Sequence, residues 1–158
     1  MAQKKLKLGA AYHGNRMLHH VRKDMEDMAV HGMNLVVHMF TQTDMDRNKN
    51  IMKEVVKISE EAGLEVCERF EKDHNLWIRT YNSPRGDEED IVEAAEAAYD
   101  AGARMIIAWG YYGSDGVDYT AKNPAVVWAK TNEAFARIRN MERDRILAEN
   151  RRKYLHKE

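Results

Sequence analysis

The sequence predicts an α/β protein in which helices connect parallel strands. Three segments carry the prediction, at residues 29–37, 61–66 and 100–107, because in each a helical pattern ends on a small residue or histidine plus glycine and passes into an apolar run. Glycine adopts the left-handed conformation beyond a helix end at no steric cost. A continuous apolar run is typical of a parallel strand covered on both faces. Strands and helices in strict alternation indicate right-handed crossovers.

The first two β/α units follow directly from the apolar pattern. Residues 6–12 form a short apolar run that predicts the first strand, and apolar residues then recur at three- and four-residue steps in a helix from about residue 16 to 31. Residues 34–41 predict the second strand. A second helix is predicted by the spacing of Ile51, Met52, Val55, Val56 and Ile58.

The middle of the chain is ambiguous. Residues 64–66 read either as a short strand or as part of a helix that continues through Gly63, and residues 67–74 read as further helix. We interpret this segment as the place where a longer repeating architecture has been cut and rejoined. Cys67 has acidic neighbours, which disfavour a thiolate, so we expect a buried structural thiol.

The second half repeats the pattern. Residues 76–81 predict a third strand, Asp87 is the expected N-cap of a third helix that runs to Gly102, and residues 105–109 predict a fourth strand. A glycine-rich loop follows, and Asn123 with Pro124 opens a long C-terminal helix. Residues 142–158 are a charged helical extension, read either as solvated or as a partner surface.

The 158 residues are expected to form a single domain. Four β/α units are half of a TIM barrel, and such a (βα)4 half leaves two strand edges without partners. We therefore predict a homodimer that completes an eight-stranded barrel. The alternative is a monomeric, flavodoxin-like open four-stranded sheet.

Composition argues against several classes of partner. The chain carries 25 basic and 26 acidic residues, so no field of one sign favours nucleic acid or an anionic membrane. No apolar run approaches the length of about 20 residues that a membrane span needs. One cysteine suits a reducing compartment, and we expect a cytoplasmic protein with no leader peptide.

The candidate ligand site is predicted at the carboxyl ends of the strands, where parallel β/α folds bind ligands. Aromatic faces beside polar side chains suit a small carbohydrate, which offers C–H faces for stacking and hydroxyls for hydrogen bonds. Arg79 has a second interpretation as half of a structural ion pair, since a buried arginine needs a carboxylate. The candidate binding residues are Tyr12, His13, His38, Arg79, Tyr81, Asn82, Trp109 and Tyr111.

Asp115 and Asp118 are the candidate catalytic residues, as a carboxylate pair for acid/base chemistry on a glycosidic bond. Aspartates in a glycine-rich loop also form turns through their own backbone, so this alternative stays open. His13 and His38 could bind a metal ion together with Asp44 or Asp46 in a dimer, but the sequence contains no compact motif of metal ligands. We expect neither a metal nor a cofactor.

The stretch from Leu8 to Ile58, which includes LGAAYHGNRM and GMNLVVHMF, resembles the opening two β/α units of bacterial glycoside-hydrolase-like TIM-barrel proteins. The stretch from Asn75 to Arg139, which includes NLWIRTYNSPRG and GARMIIAWGYYGSDG, resembles the closing two units. The resemblance implies that the four central units, with their catalytic carboxylates, are missing. It also implies sugar-facing residues at Tyr12, Arg79, Tyr81 and Trp109.

Three functions remain open at this point. The first is a half-barrel module that homodimerises into a TIM-like barrel, with a residual carbohydrate-like pocket and no efficient catalysis. The second is a dimeric glycoside-hydrolase-like enzyme that uses Asp115 and Asp118. The third is a monomeric flavodoxin-like binding module.

Overall fold

The structure, a computed structural model, describes residues 5–14, 17–39, 47–67, 75–78, 89–113 and 123–155. Five strands and four α-helices lie within these ranges, together with a 3-10 turn at Tyr111–Gly113. In chain order the elements are β1 (Lys7–Tyr12), α1 (Leu18–Val30), β2 (Leu35–His38), α2 (Lys49–Glu61), β3 (Glu65–Val66), β4 (Asn75–Ile78), α3 (Glu89–Asp100), β5 (Met105–Ala108) and α4 (Pro124–Leu155).

The strands form one parallel sheet in the order β3-β2-β1-β5-β4. The last strand along the chain pairs with the first, and β3 and β4 lie at opposite edges. This is the neighbour order of a barrel that has been opened between β3 and β4. The predicted α/β class and parallel sheet are therefore confirmed, and the ambiguous residues 64–66 contain a strand, which adds a fifth to the four predicted.

Asn34 sets the register at the start of the sheet. Its side-chain Oδ1 accepts a hydrogen bond from the backbone N–H of Leu8 at 3.0 Å, and its Nδ2 donates to the carbonyl of Leu6 at 3.0 Å. The backbone N–H of Asn34 also donates to the Leu8 carbonyl at 2.9 Å. These three bonds hold β1 beside β2 with Gly9 opposite Leu35.

All four helices pack on one face of the sheet. One core cluster joins apolar residues of α1, α2, α3 and α4 to alternate residues of the strands. The strand members of this cluster include Leu8, Ala10, Val36, Ile106 and Ala108. Right-handed crossovers from β1 to β2, from β2 to β3 and from β4 to β5 all advance in the same direction, which places their helices on the same side.

The other face of the sheet, here called the helix-free face, carries the intervening residues. Leu35, Val37 and Ile107 form a separate cluster there, and no residue of the described helices belongs to it. All three are buried, with 0 to 3% of each side chain exposed. Gly9 lies beside Leu35, and a Cβ on Gly9 would lie 2.2 Å from the Leu35 carbonyl oxygen, so this close approach requires glycine.

The flavodoxin-like alternative does not fit this arrangement. Flavodoxin-like sheets have the order 2-1-3-4-5 and helices on both faces, whereas here the described helices share one face. Where the structure describes them, the predicted helix and strand positions agree with the observed elements to within a few residues. The further helix predicted after Val66 falls almost entirely on residues 68–74, which lie outside the described residues. The expected N-cap Asp87 and the end of the third predicted strand, residues 79–81, lie outside the described residues.

The C-terminal helix α4 has 32 residues, which corresponds to a length of about 48 Å. The other three helices have 12 or 13 residues, so α4 extends past the layer that they form. Arg145 pairs along this helix with Glu142 and with Glu149. The charged extension predicted to be helical is therefore helical as far as Leu155.

Candidate ligand-binding site

The carboxyl ends of β1 and β5 bring His13 and Trp109 together. These two strands are neighbours at the centre of the sheet, and His13 and Trp109 each follow the last residue of their strand. Their ring centroids lie 6.5 Å apart with an angle of 60° between the planes. Both side chains are partly exposed. The alternation of side chains along β1 and β5 assigns both residues to the helix-free face.

Tyr12, the last residue of β1, packs on the helix side. Its hydroxyl donates to Asp24 Oδ2 of α1 at 2.6 Å, and only 2% of the residue is exposed. Burial, followed by the adjacent Asp24 carboxylate, raises the pKa of the Tyr12 hydroxyl above its usual value. Tyr12 therefore acts as a neutral hydrogen-bond donor that ties the end of β1 to α1.

Tyr111 lies in the 3-10 turn after β5 and reaches the same helix. Its hydroxyl donates to Asp27 Oδ2 at 3.0 Å, and Trp128 Nε1 of α4 donates to the same oxygen at 3.1 Å. The Tyr111 and Trp128 rings meet edge to face with centroids 4.7 Å apart. Burial, followed by the charges of Asp24 and Asp27, raises the pKa of the Tyr111 hydroxyl.

Tyr112 completes this aromatic group in an unusual backbone conformation. Its φ is 57°, in the left-handed region that non-glycine residues seldom adopt. Its ring stacks on Trp128 with centroids 5.5 Å apart and an interplanar angle of 23°. The residue is 39% exposed, so the stacked pair presents one face to solvent.

His38, the last residue of β2, is buried beside α2. Its Nε2 lies 2.8 Å from Ser59 Oγ, and that hydroxyl donates to the Val55 carbonyl at 2.9 Å. Because the Ser59 proton is directed at Val55, the consistent arrangement has His38 Nε2–H donating to Ser59. Burial lowers the pKa of His38 to about 4, so the ring is neutral at pH 7.

The predicted binding residues therefore divide between two layers. Tyr12, His38 and Tyr111 lie on the helix side, where the rings of Tyr12 and His38 are 5.9 Å apart and those of Tyr12 and Tyr111 are 5.8 Å apart. His13 and Trp109 lie on the helix-free face at the carboxyl ends of β1 and β5, a place here called the mouth. Five further candidates lie outside the described residues: Arg79, Tyr81, Asn82, Asp115 and Asp118.

Sequence reasoning missed the partners on the helix side. Asp24 and Asp27 flank Met25 and Met28, which are buried residues of α1. Two carboxylates at that spacing, at the border of a buried helix face, signal that the helix meets donors from neighbouring elements.

Among the described residues, no group of three or more histidine, cysteine or carboxylate side chains is placed to hold a metal ion. Asp44 and Asp46, which could join His13 and His38 in a metal site, lie outside the described ranges. None of the described helices is both long enough and apolar enough to cross a bilayer.

No protein-family model, curated protein or solved structure matches the chain.

Proposed function

We propose that this protein is a half-barrel binding module that takes a small carbohydrate at the mouth of its helix-free face. The observation that carries the proposal is the pairing of Trp109 with His13 at the carboxyl ends of two adjacent central strands. Ligands of parallel β/α folds bind at this end of the sheet.

The chemistry of the pair supports a polyhydroxylated ligand. The partly exposed Trp109 ring offers an apolar face for the C–H side of a sugar. The Nε2 atom of His13 is buried, so Nδ1 is the ring nitrogen proposed to exchange a hydrogen bond with a hydroxyl group. The Tyr12 and Tyr111 hydroxyls are directed at carboxylates of α1, which gives them a supporting position behind the mouth.

We further propose that two copies complete a closed barrel, which would contain ten strands, five from each protomer, instead of the predicted eight. The strand order is that of a barrel opened between β3 and β4, and parallel edges of this kind accept a second sheet in the same direction. Pairing β3 of one protomer with β4 of its partner, and the reverse, is an isologous arrangement with two-fold symmetry.

The binding proposal is tested by titrating the full chain with a panel of mono- and disaccharides while tryptophan fluorescence and calorimetric heat are recorded. We expect saturable binding that is weakened by up to about tenfold in Trp109→Leu, because stacking on an aromatic ring contributes about 0.5–1.5 kcal/mol. Trp128→Phe is the matched control, since Trp128 lies in the helix layer. Equal affinity of Trp109→Leu and the parent chain would refute the site.

The enzymatic alternative rests on Asp115 and Asp118. We expect no efficient hydrolysis of aryl glycosides, because the proposal requires only binding at the mouth. Turnover that is abolished in folded Asp115→Asn or Asp118→Asn would establish the glycoside-hydrolase-like enzyme instead.

A further inference from the structure

A cleft of about 510 Å³ lies at the amino-terminal end of the sheet, opposite the mouth that holds Trp109. It is bordered by Leu6 and Leu8 at the start of β1, by Asn34 before β2 and by α4 from Arg139 to Leu147. This volume falls in the range of about 300–1,000 Å³ that is typical of small-molecule sites. The proposed carbohydrate site uses none of these residues.

The charges that face this cleft are mainly positive. Lys5, Arg139 and Arg143 line it, with Glu142 as the carboxylate among its lining residues. Glu142 is already engaged by Arg145, whose Nη2 lies 2.7 Å from one oxygen and whose Nε lies 3.0 Å from the other. These hydrogen bonds lower the pKa of the Glu142 carboxyl. The Glu142 charge is thus balanced by Arg145, and the Arg143 charge is balanced by Asp144, whose Oδ1 lies 3.4 Å from Arg143 Nε. Lys5 and Arg139 therefore carry the excess positive charge of the cleft.

Arg139 is the central cation of the cleft. Its Nη1 lies 3.4 Å from the carbonyl oxygen of Gly32, and a Cβ on Gly32 would lie 2.8 Å from the Arg139 Cζ. Among the described residues, no carboxylate lies within ion-pair distance of Arg139. A partly buried guanidinium remains charged and is stabilised by an anion that restores its lost hydration.

The same cleft has an apolar wall. Leu6 lies at the start of β1, and Ile146 and Leu147 face it from α4. Ile146 is 37% exposed and Leu147 is 50% exposed. Adjacent cationic and apolar surfaces together match a molecule with an anionic head and an apolar body.

We propose that this cleft binds a small amphiphilic organic anion, with its phosphate or carboxylate head between Lys5 and Arg139 and its apolar body against Leu147. The binding does not depend on the carbohydrate site, because the two lie at opposite ends of the sheet.

The test is calorimetric titration of the full chain with octyl phosphate, inorganic phosphate and octanol. We expect octyl phosphate to bind at least about tenfold more tightly than either other probe. Compared with inorganic phosphate, burying two methylene groups contributes about 1.6 kcal/mol. Compared with octanol, the charged head group adds charge-assisted hydrogen bonds. Octyl phosphate that fails to saturate, or that binds no more tightly than octanol, would overturn the proposal.

Two variants assign the ligand to the cleft. Arg139→Gln is expected to weaken octyl phosphate binding about tenfold or more, the usual effect of losing a charge-assisted hydrogen bond. Arg137→Gln is the matched control, because Arg137 lies on the same helix and pairs with Glu133 and Glu96 outside the cleft. Equal affinities in both variants and the parent chain would exclude this location.

Leu147→Ser supplies a second test if Arg139→Gln does not fold, since a half-exposed position tolerates a polar side chain. It is expected to weaken octyl phosphate and to leave inorganic phosphate unchanged; an unchanged octyl phosphate affinity would overturn the apolar wall. Sedimentation with phosphatidic acid vesicles, compared with phosphatidylcholine vesicles, distinguishes a membrane-held phosphate from a soluble one. Absence of both sedimentation and octyl phosphate binding would refute the site.

Discussion

At the scale of single residues, three polar side chains on the helix side of the sheet form hydrogen bonds with residues of the helices. Tyr12 donates to Asp24, His38 meets Ser59, and Tyr111 meets Asp27. Each bond satisfies a group that would otherwise destabilise the core by about 1–3 kcal/mol. These contacts orient the strand ends on which the mouth depends.

His38 predicts a pH dependence of stability. Its pKa is about 4 when folded, below the value of 6.5 in the unfolded chain, so the unfolded state binds more protons between these values. The stability contribution is complete above about pH 6.5 and is lost as the pH falls towards 4, by about 3 kcal/mol in all. Urea unfolding at intervals across this window measures the loss.

His38→Gln is expected to remove that component of the pH dependence, since glutamine does not titrate and its amide can still donate to Ser59. His20→Gln, at an exposed position of α1, is the matched control and retains the parent profile. If His38→Gln and the parent chain have superimposable profiles between pH 6.5 and 4, the buried neutral histidine is refuted.

Gly9→Ala is predicted to destabilise the sheet by about 3 kcal/mol or more, because the new Cβ meets the Leu35 carbonyl, which is part of the backbone and has little freedom to move. Gly63→Ala is the comparison: its φ is +82° but no atom lies within 4 Å of the added Cβ. For Gly63→Ala we expect the free energy of unfolding to fall by about 1 kcal/mol, from backbone strain alone. Denaturant midpoints that rank the two variants in the opposite order would contradict the close approach.

At the scale of elements, Asp27 connects α1 with α4 and with the turn after β5. One of its oxygens accepts hydrogen bonds from both Tyr111 and Trp128. These partners are 84 and 101 residues distant along the chain, so the carboxylate joins the first and last units.

Asp27→Ala is expected to lower the free energy of unfolding by about 2–4 kcal/mol, because two largely buried donors lose their acceptor. Asp27→Asn retains an oxygen and is expected to lose about 1 kcal/mol. Urea unfolding followed by tryptophan fluorescence compares them. Equal losses would show that the oxygen retained in asparagine contributes nothing and that the negative charge of the carboxylate accounts for the effect.

Local sequence patterns predicted the helices and strands well, because each of these elements depends on the spacing of apolar residues within one segment. The buried face of α1 follows from Val21, Met25 and Met28, and glycine marks the ends of the helices. The strand order was beyond such reasoning, since β1 and β5 pair between residues as distant in sequence as Lys7 and Met105.

The candidate site was predicted in part for the same reason. The carboxyl ends of parallel strands share one edge of the sheet, so His13 and Trp109 were predicted at that edge, but their contact follows only from the observed pairing of β1 with β5. The orientation of Tyr111 towards α1 depends on the left-handed turn at Tyr112, and no spacing rule predicts a non-glycine residue in that conformation.

At the scale of the whole molecule, the proposed dimer makes a prediction about the outer edge of β3. The backbone N–H groups of Glu65 and Cys67 donate to β2, so the N–H of Val66 is directed away from it. Val66→Pro therefore removes an outward donor and leaves the pairing with β2 intact.

We expect the parent chain to sediment as a dimer and Val66→Pro to raise the dissociation constant about tenfold or more, because the symmetric interface loses one hydrogen bond at each of its two edges. Glu65→Pro is the control for fold damage, because it removes an N–H that pairs with β2. A parent chain that stays monomeric at every concentration, or a dimer insensitive to Val66→Pro, would rule out assembly through this edge.

The pairing of β5 with β1 also has a consequence for how the chain reaches its native state. That contact joins distant residues, and such long-range closures slow folding. Lys5 and Leu147 line one cleft, so a short linker can bridge the two ends of the folded body there. A circular permutant that opens between Cys67 and Asn75 would make every adjacent strand a sequence neighbour, and should refold faster than the parent chain.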